Sequence, residues 1–328
     1  MFLARFDLRA PGATAPKRAA LHRTAVDMAR YVDGHGCLSI VVSEHHSSAD
    51  GYLPAPFQLA AAMAAATTST PIVVALTILP LQDPVRLAED IVTLDHLSEG
   101  RAMVVMGLGY RPEEYELFGV DHARRGAIAD EKLTHLLALL DAADAATASP
   151  RVTPAPYTSP RPMLAWGGGS LAAARRAGRH GIGFFAQNDG PGLRPAYEDA
   201  AREAGHEPGL CVLPSPTTPF AVFVADDVDA GWDEVGPSLL ADAVAYHRWN
   251  AAAGTAETTA SVTAASTVDE LRAVEGAHRV VTPDEARRLV AEHGILALHP
   301  ICGGLDPEVA WPYLRRAVDA VRSPPPAG

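Results

Sequence analysis

The sequence predicts an α/β fold, a single (β/α)8 barrel of the TIM type with a long insertion before the last strand. Short apolar runs alternate with helix-like stretches along the chain. Several of these runs are continuously apolar, as in parallel strands that are buried on both faces. A length of 328 residues, 48% of them hydrophobic, suits one such barrel over residues 1–328. An open doubly wound sheet is the competing architecture.

Eight strand-like runs follow one another, most of them separated by helical patterns. Thr282 precedes Pro283 and stands three residues before Glu285, which is typical of a helix N-terminus. Asp83 before Pro84 has the same form. The predicted strands are FLARFDL, LSIVV, PIVVALTILP, AMVVMGLG, PMLAW, IGFFAQ, PFAVFVA and ILALHPI.

Two segments interrupt this alternation. Residues 147–162 are rich in Pro and Thr, and they are predicted to form an extended surface connector. Residues 226–280 form the insertion, and the low-complexity run 251–267 lies within it. Such an insertion either covers a site as a lid or forms a surface loop.

Composition excludes several classes of function. The net charge of −12 argues against a nucleic-acid partner. A run of about 18 apolar residues, the length needed to span a membrane, is missing from the sequence. The N-terminus lacks a signal-peptide pattern, and the three scattered cysteines suggest neither a disulfide framework nor a zinc site. We therefore expect a cytoplasmic protein.

Polar side chains follow the second predicted strand in the stretch "IVVSEHHSS". Glu44, His45 and His46 stand at its carboxyl end, where barrels of this type build their active sites. An imidazole there can transfer a proton near neutral pH. A structural hydrogen-bonded trio is the alternative interpretation. We expect no metal, because neither a helical HExxH motif nor a distant His cluster accompanies the three residues.

Glycine-rich turns follow the fourth and fifth predicted strands. Gly107 and Gly109 leave room for a ligand or for a tight turn. "WGGGS", ending at Ser170, leads from a strand into a helix, where backbone N–H groups bind phosphate. The same stretch fits the dinucleotide pattern G-x-G-x-x-A, although its position in the middle of the chain disfavours that interpretation. Gln187 and Asn188 end the sixth strand, where they either hydrogen-bond a ligand ring or cap the next helix.

Together these motifs resemble the bacterial luciferase-like flavin monooxygenases. The strongest match is "LTILPLQDPVRLAEDIVTLDHLSEGRAMVVMGLGYRPEEYELFGV", residues 76–120. The EHH motif, "GGGS" and "GGLDPEVAW" extend the resemblance over most of the chain. It implies a flavin bound at the barrel mouth. It also implies reduced FMN, delivered by a separate flavin reductase, and molecular oxygen, one atom of which enters a small organic substrate.

The resemblance also implies roles for individual residues. His45 matches the catalytic histidine of the EHH motif, with Glu44 supporting it. The Ala75–Leu76 peptide matches a non-proline cis bond beneath the flavin ring, which Met106, Gly107 and Gln187 would also line. The phosphate-binding residues would be Gly168, Gly169 and Ser170.

Two positions depart from the family pattern. Leu108 stands where luciferases place an arginine on the flavin phosphate, and Arg111 is the nearby candidate to replace it. Gly169 replaces a polar residue of luciferases, which leaves backbone donors. Two alternatives therefore stand beside FMN oxygenation. One is an F420-dependent oxidoreductase that transfers hydride on the same barrel, and the other is a non-catalytic flavin-binding protein. The resemblance also implies a homodimer that packs through "LDHLSEGR".

Overall fold

The computed structural model describes residues 1–141, 152–215, 217–254 and 263–322. The chain divides into two compact units. Unit 1 comprises Met1–Pro54, Ala66–Thr70 and Ser215–Gly328, and unit 2 comprises Ala55–Ala65 and Pro71–Pro214. Every strand pair described within a unit is parallel, as the apolar runs of the sequence predict.

Unit 1 contains the first and last strands of the chain. β1 (Phe2–Phe6) pairs with β10 (Leu296–Leu298) on one side and with β2 (Cys37–Val42) on the other. α1 (Ala15–Val32) connects β1 to β2, and α11 (Pro307–Arg322) follows β10. The carboxyl ends of these strands therefore bring Arg5, Glu44 and His299 into one unit.

The predicted seventh strand lies in a small sheet with one other strand. β8 (Ala221–Val224) pairs with β9 (His278–Val281) in a separate two-stranded sheet of unit 1. β9 was not predicted, because its short "HRVV" run falls at the end of the segment assigned to the insertion. α8 (Val228–Ala253) and α9 (Val268–Val274) lie between the two strands, and α10 (Pro283–His293) follows. Residues 255–262 of the low-complexity run lie outside the described residues.

Unit 2 holds five strands in chain order. They are β3 (Ile72–Ile78), β4 (Ala102–Gly107), β5 (Met163–Gly167), β6 (Gly183–Phe185) and β7 (Cys211–Val212). β7 was not predicted, since two residues are too short for an apolar-run signal. The helices are α2 (Pro56–Ala66), α3 (Pro84–Ser98), α4 (Pro112–Phe118), α5 (Arg125–Asp141), α6 (Leu171–Arg179) and α7 (Leu193–Glu203).

Side-chain caps begin the helices where the sequence places them. Thr282 accepts a hydrogen bond from the backbone N–H of Glu285, and Pro283 is the first residue of α10. Asp83 accepts hydrogen bonds from the first turn of α3. These caps satisfy N–H groups that have no acceptor within the helix.

The predicted connector 147–162 lies outside the described residues from 147 to 151, and from 152 to 162 it has neither helix nor strand. Thr158 ties it to α3, since its backbone N–H and its hydroxyl each lie 2.8 Å from a carboxylate oxygen of Asp95. In the part of the chain that the structure describes, no helix is long and apolar enough to cross a membrane.

Candidate active site

The Glu44–His45–His46 motif follows β2 in unit 1 and is buried. The ring Nε2 of His46 lies 2.7 Å from Glu44 Oε1, where it donates a hydrogen bond to the carboxylate. Glu44 therefore contacts the second histidine of the motif. A carboxylate bonded to an imidazole fixes the ring's orientation and favours one tautomer. The Glu44–His46 hydrogen bond is therefore compatible with both interpretations, a structural trio and a catalytic site.

His45 packs against aromatic rings. Its backbone N–H donates to the carbonyl of Leu53, which anchors the turn after β2. The imidazole meets the ring of Tyr52 edge to face, with 4.8 Å between centroids, and lies 4.7 Å from the ring of Trp249. Trp249 belongs to α8, within the segment predicted as an insertion. The insertion therefore contributes directly to the surroundings of His45.

A buried ionic network lies at the carboxyl end of β1. The Arg9 guanidinium is within 3.4 Å of carboxylate oxygens of Asp242 and Asp50 and 3.7 Å from Asp7. Asp242 also pairs with His278 at 2.8 Å. Burial alone would raise the pKa of Asp242, but the charge of Arg9 and the hydrogen bond from His278 hold that pKa below its usual value.

One residue of this network and two neighbouring side chains have the chemistry of metal ligands. Asp242, His299 and Cys302 bring ligand atoms within 4.8 Å of one another. Arg9 already lies against Asp242, and its permanent charge disfavours a divalent cation. Burial also raises the pKa of the Cys302 thiol well above its usual value, which keeps the sulfur protonated. These charges favour an ionic network over a metal centre.

The Ala75–Leu76 peptide of β3 in unit 2 is cis, the geometry that the resemblance implies. Leu76 interrupts the pairing of β3 with β4, since Ala75 aligns with Val105 and Thr77 with Met106. Its side chain lies against two glycines of the neighbouring strands. A Cβ at Gly107 would come within 2.8 Å of Leu76 Cδ2, and one at Gly167 within 2.9 Å. Side chains at those two positions would displace Leu76.

The glycine turn after β5 forms the start of α6. Ser170 is the N-cap of the helix, and its hydroxyl accepts a hydrogen bond from the N–H of Ala173 at 3.2 Å. The N–H groups of Leu171 and Ala172 belong to the first turn and have no acceptor within the helix. Gly168 adopts a φ of 150°, which is accessible mainly to glycine. The turn thus presents backbone donors, as a phosphate site requires.

Gln187 lies beside this turn. A Cβ at Gly169 would meet the Gln187 side-chain oxygen at 3.3 Å, so the two positions are neighbours, and Gln187 is exposed. Met106, by contrast, is fully buried in β4. The structure therefore brings Gly169, Ser170 and Gln187 together, while Met106 and Gly107 lie near Leu76 by register and contact.

The two departures from the family pattern lie between β4 and α4. Leu108 is half-buried, and its carbonyl accepts a hydrogen bond from the Tyr115 hydroxyl. Arg111 is buried, and its guanidinium lies 3.2 Å from a carboxylate oxygen of Glu114. The cation expected near a phosphate is thus already partnered by a carboxylate.

Several side chains around His45 were not predicted. Tyr246 and Trp249 project from α8, and Arg5 and Arg9 come from the first strand region. A signal was present for the arginines, because three charged residues interrupt the apolar run "FLARFDLRAP". Buried charges inside a predicted strand indicate a polar network. Nothing in the sequence marked Tyr246 or Trp249.

Comparison with solved structures defines the class of fold. The chain is similar to monooxygenase RslO1 from Streptomyces bottropensis, with a TM-score of 0.75, 21% identity and coverage of 98% of both chains. It is also similar to the oxygenating constituent of 3,6-diketocamphane monooxygenase of Pseudomonas putida, solved with FMN (TM-score 0.71, 20% identity, 98% of both chains). The F420-dependent tetrahydromethanopterin reductase of Methanopyrus kandleri shares the fold as well (TM-score 0.61, 14% identity, 98% of both chains). The protein is therefore a TIM-type (β/α)8 barrel, as predicted.

The family follows from the sequence. The family model of the luciferase-like monooxygenases matches residues 3–294 of the sequence, and the chain belongs to that family. The curated relatives match over shorter stretches. The chain spans 39% of the length of the protein y4vJ of Sinorhizobium fredii, at 30% identity, and 28% of the length of y4wF from the same organism, at 35% identity. Membership confirms the resemblance carried by the EHH motif and by residues 76–120.

Proposed function

We propose that the protein is a flavin-dependent monooxygenase that uses reduced FMN and molecular oxygen to oxygenate a small organic substrate. The observation that carries the proposal is the buried His45, held against Tyr52 and Trp249 at the carboxyl end of β2. In a luciferase-like barrel this is the end of the strands where catalytic groups lie.

The residues of unit 2 fit an FMN cofactor. The Ser170 turn offers backbone donors to a phosphate, and the glycines at 107 and 167 leave the side chain of Leu76 free to support a planar ring. Gly169 and Ser170 would hold the phosphate, with Gln187 beside them. Arg111 would add charge if it left Glu114. Reduced FMN, when bound, supplies the electrons that activate oxygen.

In this proposal, the chain's own residues move a proton and exclude water. His45 would donate or accept a proton at a ring nitrogen, at a pH where imidazole can do either. The Glu44–His46 pair holds the turn that carries His45. The rings of Tyr52 and Trp249 cover the imidazole with apolar surface, which lowers the local dielectric and strengthens its hydrogen bonds.

Two alternatives remain from the sequence. F420-dependent hydride transfer is favoured by one observation, the absence of a charged side chain at Leu108, and a reductase with the same barrel uses that cofactor. A non-catalytic flavin-binding protein is the other alternative. For the monooxygenase we also propose a separate flavin reductase as the source of reduced FMN, a homodimer and a cytoplasmic location.

An anaerobic titration tests this proposal. The purified protein is titrated with reduced FMN, oxidised FMN and reduced F420, and binding is followed by flavin absorbance and fluorescence. We expect reduced FMN to bind at least about ten-fold more tightly than F420, a difference of about 1.4 kcal/mol in binding free energy. Preferential binding of F420 would establish the hydride-transfer alternative instead.

A further inference from the structure

Arg5 is a buried cation with an unusual set of partners. Its Nη2 donates to the hydroxyl of Tyr246 at 2.6 Å, and its guanidinium carbon lies 3.7 Å from the centre of the Phe220 ring. Its Nη1 is buried and makes no hydrogen bond within the described residues. Only 8% of the residue is exposed. A buried donor of this kind usually has a partner in the functioning protein.

The nearby carboxylates pair with other groups. Across the described ranges, no carboxylate oxygen lies within 4.0 Å of Arg5. Burial lowers the pKa of Arg5, whereas Tyr246, Tyr52 and, to a smaller extent, Asp7 and Asp242 raise it. Both carboxylates form ion pairs with Arg9. Asp242 is further bonded to His278, and Asp7 lies 3.3 Å from His299. Arg5 instead faces phenol and phenyl groups, and a buried charge without a close counter-ion is costly.

Arg5 is also connected to the surroundings of His45. The Tyr246 hydroxyl that accepts from Arg5 lies 3.0 Å from the Tyr52 hydroxyl, and the Tyr52 ring packs on His45. Trp249 contacts His45, Tyr52 and Tyr246, with centroid distances of 4.7, 5.9 and 5.6 Å. Trp249 is half-buried, so this aromatic group reaches solvent on its side. All of these residues belong to unit 1.

We propose that Arg5 and the aromatic group of Tyr52, Tyr246 and Trp249 select a planar aromatic substrate that carries an ionised oxygen. The inference deepens the proposed function and rests on it, because it assigns the substrate class of the His45 site. The aromatic rings bind a flat ring by stacking and edge contacts. Arg5 Nη1 donates to a carboxylate, phenolate or enolate oxygen, and that oxygen supplies the hydrogen-bond acceptor which this buried donor lacks within the described residues.

Binding of two matched probes tests the inference without any turnover. Isothermal titration of the purified protein compares 2-naphthoate with 2-naphthamide, which has the same shape and no charge. The wild-type protein is expected to bind 2-naphthoate at least about ten-fold more tightly, a difference of about 1.4 kcal/mol. Equal affinity for the two probes would overturn the proposal in the wild-type protein alone, whatever the fate of any variant.

Variants locate the preference. Arg5→Gln is expected to remove the preference for 2-naphthoate and leave 2-naphthamide binding unchanged, whereas Arg5→Lys retains most of it. Trp249→Leu is expected to weaken both probes equally. A preference that persists in Arg5→Gln would overturn the assignment.

Reduced FMN, an anion itself, is titrated into the same variants. If Arg5→Gln weakens reduced FMN and leaves 2-naphthoate unaffected, the charge serves the cofactor and the substrate assignment is wrong. If the wild-type protein binds no flavin but still prefers 2-naphthoate, the proposed function is wrong and the role of Arg5 in binding an anion stands.

Discussion

Leu76 lies so close to Gly107 that a Cβ on residue 107 would come within 2.8 Å of Leu76 Cδ2. Gly167 approaches the same side chain from the next strand at 2.9 Å. Two glycines on neighbouring strands thus make room for one leucine, at the place where the proposal puts the flavin ring. A side chain at either position would require Leu76 to move.

Substituting either glycine should weaken flavin binding. Gly107→Ala and Gly167→Ala force Leu76 to move, at a cost of about 1–3 kcal/mol for overpacking. We expect reduced FMN to bind at least about ten-fold more weakly to each variant. Gly126→Ala is the control, because a Cβ there would lie 3.7 Å from the nearest side chain, an ordinary contact. Unchanged affinity in both variants would show that Leu76 does not support the ring.

A charge at Ser170 tests the phosphate site. Aspartate can also cap a helix, so Ser170→Asp should keep α6 while placing a negative charge beside the phosphate. We expect FMN affinity to fall about ten-fold or more, measured by quenching of flavin fluorescence. Thr282→Asp is a matched control, since Thr282 caps α10 with the same 3.2 Å bond. If the two variants bind FMN equally, the phosphate lies elsewhere.

Removing the His45 imidazole should reduce oxygenation without unfolding the protein. General acid–base groups contribute about 10²–10⁴-fold to rate. We expect His45→Ala to lose activity within that range once a substrate is found, with its urea midpoint close to that of the wild type. His22→Ala, an exposed histidine of α1, serves as the control. Full activity in His45→Ala would remove the catalytic role of the residue.

The Asp33 carboxylate should make stability depend on pH. It accepts hydrogen bonds from the backbone N–H groups and the hydroxyls of Thr68, Ser69 and Thr70. Burial opposes ionisation, but these hydrogen bonds outweigh it and hold the pKa of Asp33 well below its usual value. Because the folded pKa is depressed, the stabilisation is complete above the unfolded pKa of about 3.9 and declines as pH falls through the folded pKa.

Asp33→Asn should therefore lower the free energy of unfolding by about 1–3 kcal/mol at pH 7. The difference from wild type should shrink as the pH falls below about 4. Urea unfolding at several pH values measures it. Asp27→Asn, which removes an exposed pair with Arg30, is the control and should change stability by less than about 1 kcal/mol. A difference that stays constant down to pH about 2 would contradict the role of the ionised carboxylate.

The sequence predicted the barrel because its signals are local. The continuous apolar runs of β3 and β4 and the cap at Thr282 can each be recognised within about ten residues of sequence. β7 and β9 were missed because two to four residues carry too little periodicity. The pairing of β8 with β9 could not be predicted, because pairing between strands far apart in the chain is a tertiary property.

The candidate site residues that adjoin strand ends could be proposed from the sequence for the same reason. The EHH motif and the Ser170 turn each lie next to a strand end, so local sequence patterns locate both of them before the fold is known. Trp249 reaches His45 from a helix about 200 residues away in sequence, and no local pattern distinguishes it from a core tryptophan. The partners of Arg5, Tyr246 and Phe220, are likewise distant in sequence, so the sequence gives no indication of the role proposed for Arg5.

The reaction of the protein-bound reduced flavin with oxygen tests whether the protein is an oxygenase. Reduced FMN is bound anaerobically and mixed rapidly with oxygenated buffer, and the return of oxidised-flavin absorbance is followed beside free reduced FMN. We predict that the bound flavin returns to the oxidised form at least about ten-fold more slowly than the free flavin, which corresponds to about 1.4 kcal/mol in the barrier. Return at the rate of free reduced FMN, from a sample in which binding has been established, would contradict an oxygenase and leave a flavin-binding protein.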